Sequence, residues 1–477
     1  MHSTSWLFAH VLEVGGYLLA ILLIPRILLE RRHPGATVAW VLAIGLIPFL
    51  GVPLYFLIGG RRIKKVRRRK GWDVPPSDGA KTSRVLERLP ENSRMIARLM
   101  MRTNLFPPSE DNRIHLIDDG VEAYKTLYGM IERAEASIEI ATFILGADDV
   151  GRAIVDLLAR KAREGIEVRL LLDALGSLRT TGRFVDPLRE AGGKVGVFLP
   201  ILPVRRRWSA NLRNHRKLTV VDGRMAWVGG MNIAREYMGP TPYRGRWKDV
   251  SMTLTGSGAE YVRHIFWQDW GFSTHEQFRA AFSKSAFPYP QPLSGYSIVQ
   301  VVGDGPDVPE RPLYSSVLAA LSRARMRIWA VTPYFVPDDA LSESLGLAAR
   351  MGCDVRLILP ERSNHPLVDL AGHSYIDDLI HAGVRFYFYQ PGMLHAKLIT
   401  IDDEIAVVGS ANMDFRSFHL NFEIASFLYD AESVARVTGI VRLIMDHSRE
   451  VPPREMAEKS RLRAFSEDIC RVFSPLF

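Results

Sequence analysis

The sequence is poor in cysteine. Its 477 residues hold two, Cys353 and Cys470, and neither sits at a metal-ligand spacing from another Cys or His. So small a number excludes a disulfide-stapled scaffold. An acidic excess is missing as well. Lysine and arginine outnumber aspartate and glutamate by 61 to 52, a net charge of +9, which points to an anionic partner, either nucleic acid or membrane. No Lys or Arg precedes the first apolar stretch, which argues against a secretory signal peptide. With 47% hydrophobic and 24% charged residues the chain is globular rather than disordered, and its length suits two or three domains.

Charge is also absent from one long segment. From His33 to Gly60 there is no Lys, Arg, Asp or Glu. Within it, Thr37 to Ile58 is long enough to cross a bilayer as a helix, with Pro48 and Pro53 as kink points. The earlier stretch Trp6 to Leu29 contains His10, Glu13 and Arg26 and reads as a first span forming a hairpin with the second. The run Arg61-Arg62-Ile63-Lys64-Lys65-Val66-Arg67-Arg68-Arg69-Lys70 follows. By the positive-inside rule it lies in the cytoplasm, where it also suits anionic headgroups.

What the chain does have is a repeat. Ala134 to Thr142 resembles Ala324 to Thr332, Asp148-Asp149 falls at the offset of Asp338-Asp339, and Gly165 to Leu172 matches Gly352 to Leu359. In each copy strand-like runs alternate with helical ones, which predicts an α/β sheet covered by helices on both faces. The organisation read from this is a membrane anchor over 1–70, a linker with one or two helices over 71–108, and two tandem α-β-α domains over 109–290 and 291–477. The Pro-rich stretch Phe287 to Pro292 separates the copies.

Late in each copy comes the strongest signal. His215-Arg216-Lys217 leads to Asp222 and then Gly229-Gly230-Met231-Asn232, while His395-Ala396-Lys397 leads to Asp402 and then Gly409-Ser410-Ala411-Asn412. Alternate residues of a strand share a face, so each histidine points with its lysine. If the copies pack about a pseudo-two-fold axis, two His-Lys pairs converge. Such a pocket suits a phosphodiester: Lys217, Lys397, Asn232 and Asn412 can hold the charge of a five-coordinate phosphorus, one neutral histidine can attack, and the other can protonate the leaving alkoxide. Each imidazole needs its second nitrogen fixed, and Asp249 and Glu423 are the downstream candidates. The fixed positive charges make a metal or other cofactor unnecessary.

At these residues the chain resembles the phospholipase D superfamily, whose hallmark is the paired HxKxxxxD motif. The stretch Ser410 to Glu423, the segment Thr332 to Pro337, the N-terminal apolar stretches and the ending Phe473 to Phe477 are similar to bacterial cardiolipin synthases. The resemblance implies two phospholipase D-like domains with pseudo-two-fold symmetry behind a transmembrane hairpin, at the bacterial inner membrane and facing the cytoplasm. It implies catalytic His215, Lys217, Asp222, His395, Lys397 and Asp402, supported by Asn232, Asn412, Asp249, Glu423 and Ser410. One phosphatidylglycerol gives its phosphatidyl group to a histidine, His215 by similarity, and releases glycerol. The other histidine then activates a second phosphatidylglycerol. Anionic membrane lipids, not nucleic acid, are the implied partners.

Three other readings use the same residues: a lipid hydrolase in which water takes the phosphatidyl group, a nuclease of the same superfamily, and a non-enzymatic scaffold. The basic run beside a membrane span argues against the nuclease, and two intact motifs argue against the scaffold. One further segment draws notice. Val197 to Val204, then Arg205-Arg206-Arg207-Trp208 and Arg213, leads directly into His215 and reads as a membrane-touching mouth of the pocket.

Overall fold

The computed structural model describes residues 15, 18–29, 34–59, 70, 79–103, 105–200, 211–276, 295–308, 310–453 and 460–472. The chain divides into two compact units, Met1–Arg68 with Pro200–Asn211, and Arg69–Leu199 with Leu212–Phe477.

In the first unit the stretch read as the second span is helical with an interruption at Ile47. A helix covers Pro34–Leu46, Ile47 leaves the helical conformation (φ −134°, ψ 66°), and a second helix covers Pro48–Leu54 before a π turn over Tyr55–Gly59. The cause is Pro48, which disfavours helical geometry at the residue before it. Residues 18–29 are helical. Ala20, Leu23 and Ile27 from that stretch pack with Ile44, Val52 and Tyr55. Among the described residues no helix is long and apolar enough to cross a membrane. The described residues of this unit form shorter helical pieces. Their outer faces still carry Ile21, Leu22, Leu29, Leu46 and Phe49 exposed.

The second unit holds both copies. The first contributes β1 (Ser109–Ile117), β2 (Ser137–Thr142), β3 (Glu167–Asp173), β4 (Lys194–Phe198), β5 (Leu218–Val221), β6 (Met225–Gly229) and β7 (Ser251–Thr255). The second contributes β8 (Ser297–Asp304), β9 (Arg327–Val331), β10 (Phe335–Val336), β11 (Asp354–Pro360), β12 (Arg385–Tyr389), β13 (Leu398–Ile401), β14 (Ile405–Gly409), β15 (Met413–Asp414), β16 (Glu423–Leu428) and β17 (Ser448–Glu450).

The copies do not form separate sheets. All but β10 and β15 join one 15-stranded sheet in the order β17-β12-β11-β9-β13-β14-β16-β8-β1-β7-β6-β5-β2-β3-β4. Outward from the β1–β8 junction, β1-β7-β6-β5-β2-β3-β4 runs in one direction and β8-β16-β14-β13-β9-β11-β12 in the other. This is the same strand order read from the centre. Antiparallel pairing of β1 with β8 makes the join. The repeated aspartates start equivalent helices. Asp148 accepts from Gly151 N at 2.8 Å at the head of Asp149–Arg163, and Asp338 accepts from Leu341 N at 2.9 Å at the head of Asp339–Arg350, satisfying an otherwise orphaned amide in each.

Part of the stretch read as a linker belongs to the core. Helices Gly79–Arg88 and Glu91–Arg102 bury Val85, Leu86, Ile96 and Met100 in one apolar cluster with Val317 and Leu321 of the second copy. The i, i+4 spacing of Ile96 and Met100 puts both on one helix face.

Candidate active site

The two motifs meet at the centre of the sheet, held by backbone bonds that cross between the copies. His215 N donates to Phe422 O at 2.9 Å and Phe422 N to Arg213 O at 2.8 Å. On the other side His395 N donates to Lys248 O at 2.7 Å and Lys248 N to Met393 O at 2.9 Å. His215 and His395 thus stand in the extended lead-ins to β5 and β13, not inside the strands. Each chain end just before a catalytic strand is pinned to the residue preceding the other copy's carboxylate.

The consequence is a crossed pairing. His215 Nδ1 lies 3.0 Å and 3.1 Å from the two oxygens of Glu423, a residue of the second copy. His395 Nδ1 lies 2.6 Å from Asp249 Oδ2, a residue of the first. Both carboxylates are completely buried. With Nδ1 of each ring facing a carboxylate, Nε2 is the nitrogen turned to the lysines and substrate; that of His395 lies 3.1 Å from Lys397 Nζ. Aromatic walls fix the rings further. Phe143 meets His215 edge-on at 5.0 Å, and Tyr237, Trp247 and Tyr334 surround His395 at 5.0, 5.4 and 6.3 Å.

Each lysine turns back on its own histidine. Lys217 Nζ donates to His215 O at 2.6 Å. Lys397 Nζ donates to His395 O and lies 2.7 Å from His395 Nδ1. Among the described residues no carboxylate pairs directly with either ammonium, although both side chains are buried. Burial pulls the Lys217 pKa well below its ordinary value and lowers Lys397 to about 8. Two buried cations without a direct counter-ion are costly in isolation. They are complementary to a phosphate.

The imidazoles feel the same field. Burial, together with Lys217 and Lys397, lowers His215 to about 4 despite the raising influence of Glu423. Burial, Lys397 and Lys217 push His395 well below the usual imidazole range. Their carboxylates differ. Burial works to raise Glu423, but the His215 ring, Lys217 and a hydrogen bond from Ser410 outweigh it and hold the group below its ordinary value. Burial raises Asp249 to about 7, against the opposing effects of Lys397, the Val250 amide and Lys217.

The remaining residues expected at the site fall into two sets. Ser410 donates to Glu423. Asn232 Oδ1 accepts from Ile144 N at 3.0 Å, and Asn412 Nδ2 donates to Asp414 at 3.0 Å while its Oδ1 is buried without a hydrogen-bond partner. Asp222 and Asp402 are not brought to the imidazoles. Asp222 Oδ1 accepts from Ala136 N and Ser137 N at 2.7 and 2.9 Å, and Asp402 Oδ1 from Met326 N and Arg327 N at 2.8 and 2.9 Å. Each tethers the start of β2 or β9 to the far end of the motif strand, from a left-handed turn (φ 53° and 50°). In this geometry each aspartate clamps backbone amides. The arginine-rich stretch 201–210, read as a membrane-touching mouth, lies outside the described residues. Arg213 is described: it is buried, donating to Leu199 O at 3.0 Å and lying 3.5 Å from Asp173.

A buried charge network behind His215 was not foreseen. Arg216 Nη1 pairs with Asp269 at 2.6 Å, its Nε donates to Glu423 O at 2.9 Å, and its Nη2 to Asp304 O at 2.9 Å. Lys70 joins it, 2.7 Å from Asp269 and 2.6 Å from Asp307. The available signal was the motif itself, where Arg216 stands opposite Ala396. No cluster of three or more His, Cys, Asp or Glu side chains suited to a metal ion occurs among the described residues.

Comparison with known proteins bears on the family and the fold. The family described as "Cardiolipin synthase, PLD-like domain" matches residues 127–270 and 317–445, and "Phospholipase_D-nuclease N-terminal" matches residues 18–60. A cardiolipin synthase of Geobacillus kaustophilus is 34% identical, covering 94% of this chain and 90% of that one. The major cardiolipin synthase ClsA of Bacillus subtilis is 33% identical over 99% of this chain and 100% of its own. Among solved structures, phosphatidylserine synthase of Haemophilus influenzae shares the fold. Its TM-score is 0.59 at 15% identity, over 80% of this chain and 96% of that chain.

Proposed function

The chain belongs to the phospholipase D-like cardiolipin synthases and is a phosphatidyltransferase, and on that footing we propose how its two histidines divide the work. The substrate is phosphatidylglycerol. His215 Nε2 attacks phosphorus, its Nδ1 held by ionised Glu423. The P–N bond forms as the P–O bond to the departing glycerol breaks. Lys217 and Lys397 take the phosphoryl oxygens' charge.

His395 supplies the proton. An imidazole that sheds its proton beside a carboxyl that retains one keeps a single dissociable proton between Nδ1 and Asp249 Oδ2, 2.6 Å apart. Nε2 can release its hydrogen to the leaving alkoxide while Nδ1 takes the proton from Asp249. In the second half the transfer reverses. A glycerol hydroxyl of another phosphatidylglycerol gives its proton to Nε2, Nδ1 returns one to Asp249, and the alkoxide attacks the phosphohistidine. Two phosphatidylglycerols become cardiolipin and glycerol, and the enzyme is restored.

The observation that carries this reading is the crossed pairing of each histidine with the other copy's carboxylate, beside two buried lysines. Labelled phosphatidylglycerol incubated with the purified protein in vesicles tests it. Cardiolipin plus glycerol is expected; phosphatidic acid as the main product would make the protein a hydrolase instead. We also place the protein at the membrane. Support comes from the exposed apolar faces around the small core of the first unit and from the basic run at 61–70.

A further inference from the structure

The helix Arg461–Val472 turns Glu467 inward. Glu467 is 2% exposed and receives Arg463 Nε at 3.0 Å, Arg471 donates to Asp378 at 3.2 Å, and the Arg471 guanidinium lies 4.4 Å from the Tyr375 ring centre. Cys470 packs toward the apolar cluster of the second copy. These contacts fasten the helix to its neighbour, Pro366–His381. The outward side is apolar. Leu462, Phe465 and Ile469 are 76%, 62% and 43% exposed, and their i, i+3, i+7 spacing places them in one stripe.

The stripe has a direction. His373 lies 4.0 Å from Glu467 and Asp378 lies 3.2 Å from Arg471, so the two helices run side by side with their starts together. The start of Pro366–His381 lies close to His395. Leu367 there is 56% exposed, and Asn364, just before it, accepts from the Tyr334 hydroxyl at 2.6 Å. Tyr334 in turn stands against His395. An apolar ridge therefore runs from beside His395 outward along the last described helix.

We propose that this ridge is a second membrane contact of the catalytic unit, seated in an anionic leaflet. The proposal rests on the lipid substrate argued above. Charge selects the occupant: within the helix three arginines, Arg461, Arg463 and Arg471, stand against Glu467 and Asp468, and Glu467 is buried. A cationic helix with one exposed apolar face is suited to the interface between headgroups and acyl chains. Position argues the same way, because the ridge begins beside Asn364, which holds the Tyr334 ring that stands against His395. Its role is to seat the second half of the site on the bilayer independently of the first unit.

The test uses the full-length protein in vesicles of phosphatidylglycerol and phosphatidylcholine. A Phe465→Cys variant in a Cys470→Ser background carries an environment-sensitive fluorophore, with Leu443→Cys, exposed on another helix, as the control site. Nitroxide lipids should quench the label at 465 strongly and aqueous iodide weakly, with the reverse at 443. Equal iodide access at both sites would overturn the proposal, as would label-to-label energy transfer at 465, which would assign the ridge to a second copy. Leu462→Glu, Phe465→Glu and Ile469→Glu combined should lower turnover on vesicles about tenfold while leaving a dispersed short-chain substrate unaffected. Equal loss on both substrates would count against a membrane role. Quenching is read without turnover, so a label seated in lipid on a protein that makes only phosphatidic acid would refute the proposed reaction and leave this surface standing.

Discussion

The halves of the sheet present the same His-x-Lys motif, yet each is completed differently. In the second half Ser410 faces Glu423, which also receives Asn421 Nδ2 at 3.3 Å and the His215 ring. In the first half the position matching Ser410 is Gly230, and a Cβ there would collide with the Asp249 carboxylate. A longer acid with a serine donor stays ionised; a shorter acid packed against glycine, with one amide donor from Val250 at 2.7 Å, is raised to about 7. Since the pairing is crossed, the ionised acid serves His215 and the proton-retaining one serves His395. On the proposed mechanism, two equivalent imidazoles take different tasks from partners in the opposite copy.

The largest effect should come from removing either ring. His215→Ala and His395→Ala are each expected to lower cardiolipin formation about 10³-fold or more without unfolding the protein. A donor whose leaving group needs no proton, such as a phosphatidyl nitrophenol, separates them. His395→Ala should still release one equivalent of nitrophenol and stall as a phosphatidyl adduct on His215, whereas His215→Ala should release none. An adduct mapped to His395 by mass spectrometry of the acid-quenched wild-type protein would reverse the assignment.

The convergence of the motifs was legible because a repeat places His215, Lys217 and Asn232 at the offsets of His395, Lys397 and Asn412. A repeated constellation implies a symmetric meeting point. The crossing was not legible. Asp249 follows His215 in its own copy, and nothing in one-dimensional spacing says that the bridges Asn214–Phe422 and Lys248–Leu394 would hand it to His395. The partners of Asp222 and Asp402 were not legible either. Both aspartates repeat as faithfully as the histidines, but what repeats is a turn and its clamp on three backbone amides. The alternation of strands and helices forecast the sheet class, while its continuity across the copies depended on β1 pairing with β8. In the first unit Pro48 was visible as a kink point; that the helix stops at Ile47 follows from the proline's demand on its predecessor.

Exchanging the carboxylates should produce the next largest effect. Glu423→Gln removes the charge behind the nucleophile and should slow adduct formation about 10²-fold even with the nitrophenyl donor. Asp249→Asn should leave that burst within a few-fold of wild type and slow turnover of phosphatidylglycerol about 10²-fold. Stopped-flow bursts beside steady-state rates measure both. Equal losses in every assay would mean the halves are equivalent after all.

pH should split the same two steps. His215, held near 4, stays neutral and nucleophilic throughout the physiological range. Asp249 holds its proton below about 7 and loses it above. Adduct formation from phosphatidylglycerol, which needs that proton, should fall as pH rises past about 7, approaching tenfold per unit. With the nitrophenyl donor the same step should be flat. A matching alkaline fall with both donors would place the titration at Lys397, lowered to about 8, instead of at the acid.

The smallest predicted effect isolates what keeps Glu423 ionised. Ser410 Oγ donates to Glu423 and also receives Ile424 N at 3.0 Å, so it braces the carboxylate against the strand that carries it. Ser410→Ala removes one donor to a buried anion, a loss of about 1.5–3 kcal/mol, or roughly 10- to 150-fold in the stability of the ionised form. Most of that need not reach the rate, because the His215 ring and Lys217 still favour the anion. The expected outcome is a drop of about five- to tenfold in adduct formation at neutral pH, with recovery toward wild type as the pH is raised and Glu423 ionises again. The sign matters. Loss of a donor raises the carboxyl's pKa, so the defect should be deepest in acid, opposite to the alkaline fall assigned to Asp249. A Ser410→Ala defect independent of pH would mean that the serine serves only packing, and that the contrast between Glu423 and Asp249 is set by burial and the lysines alone.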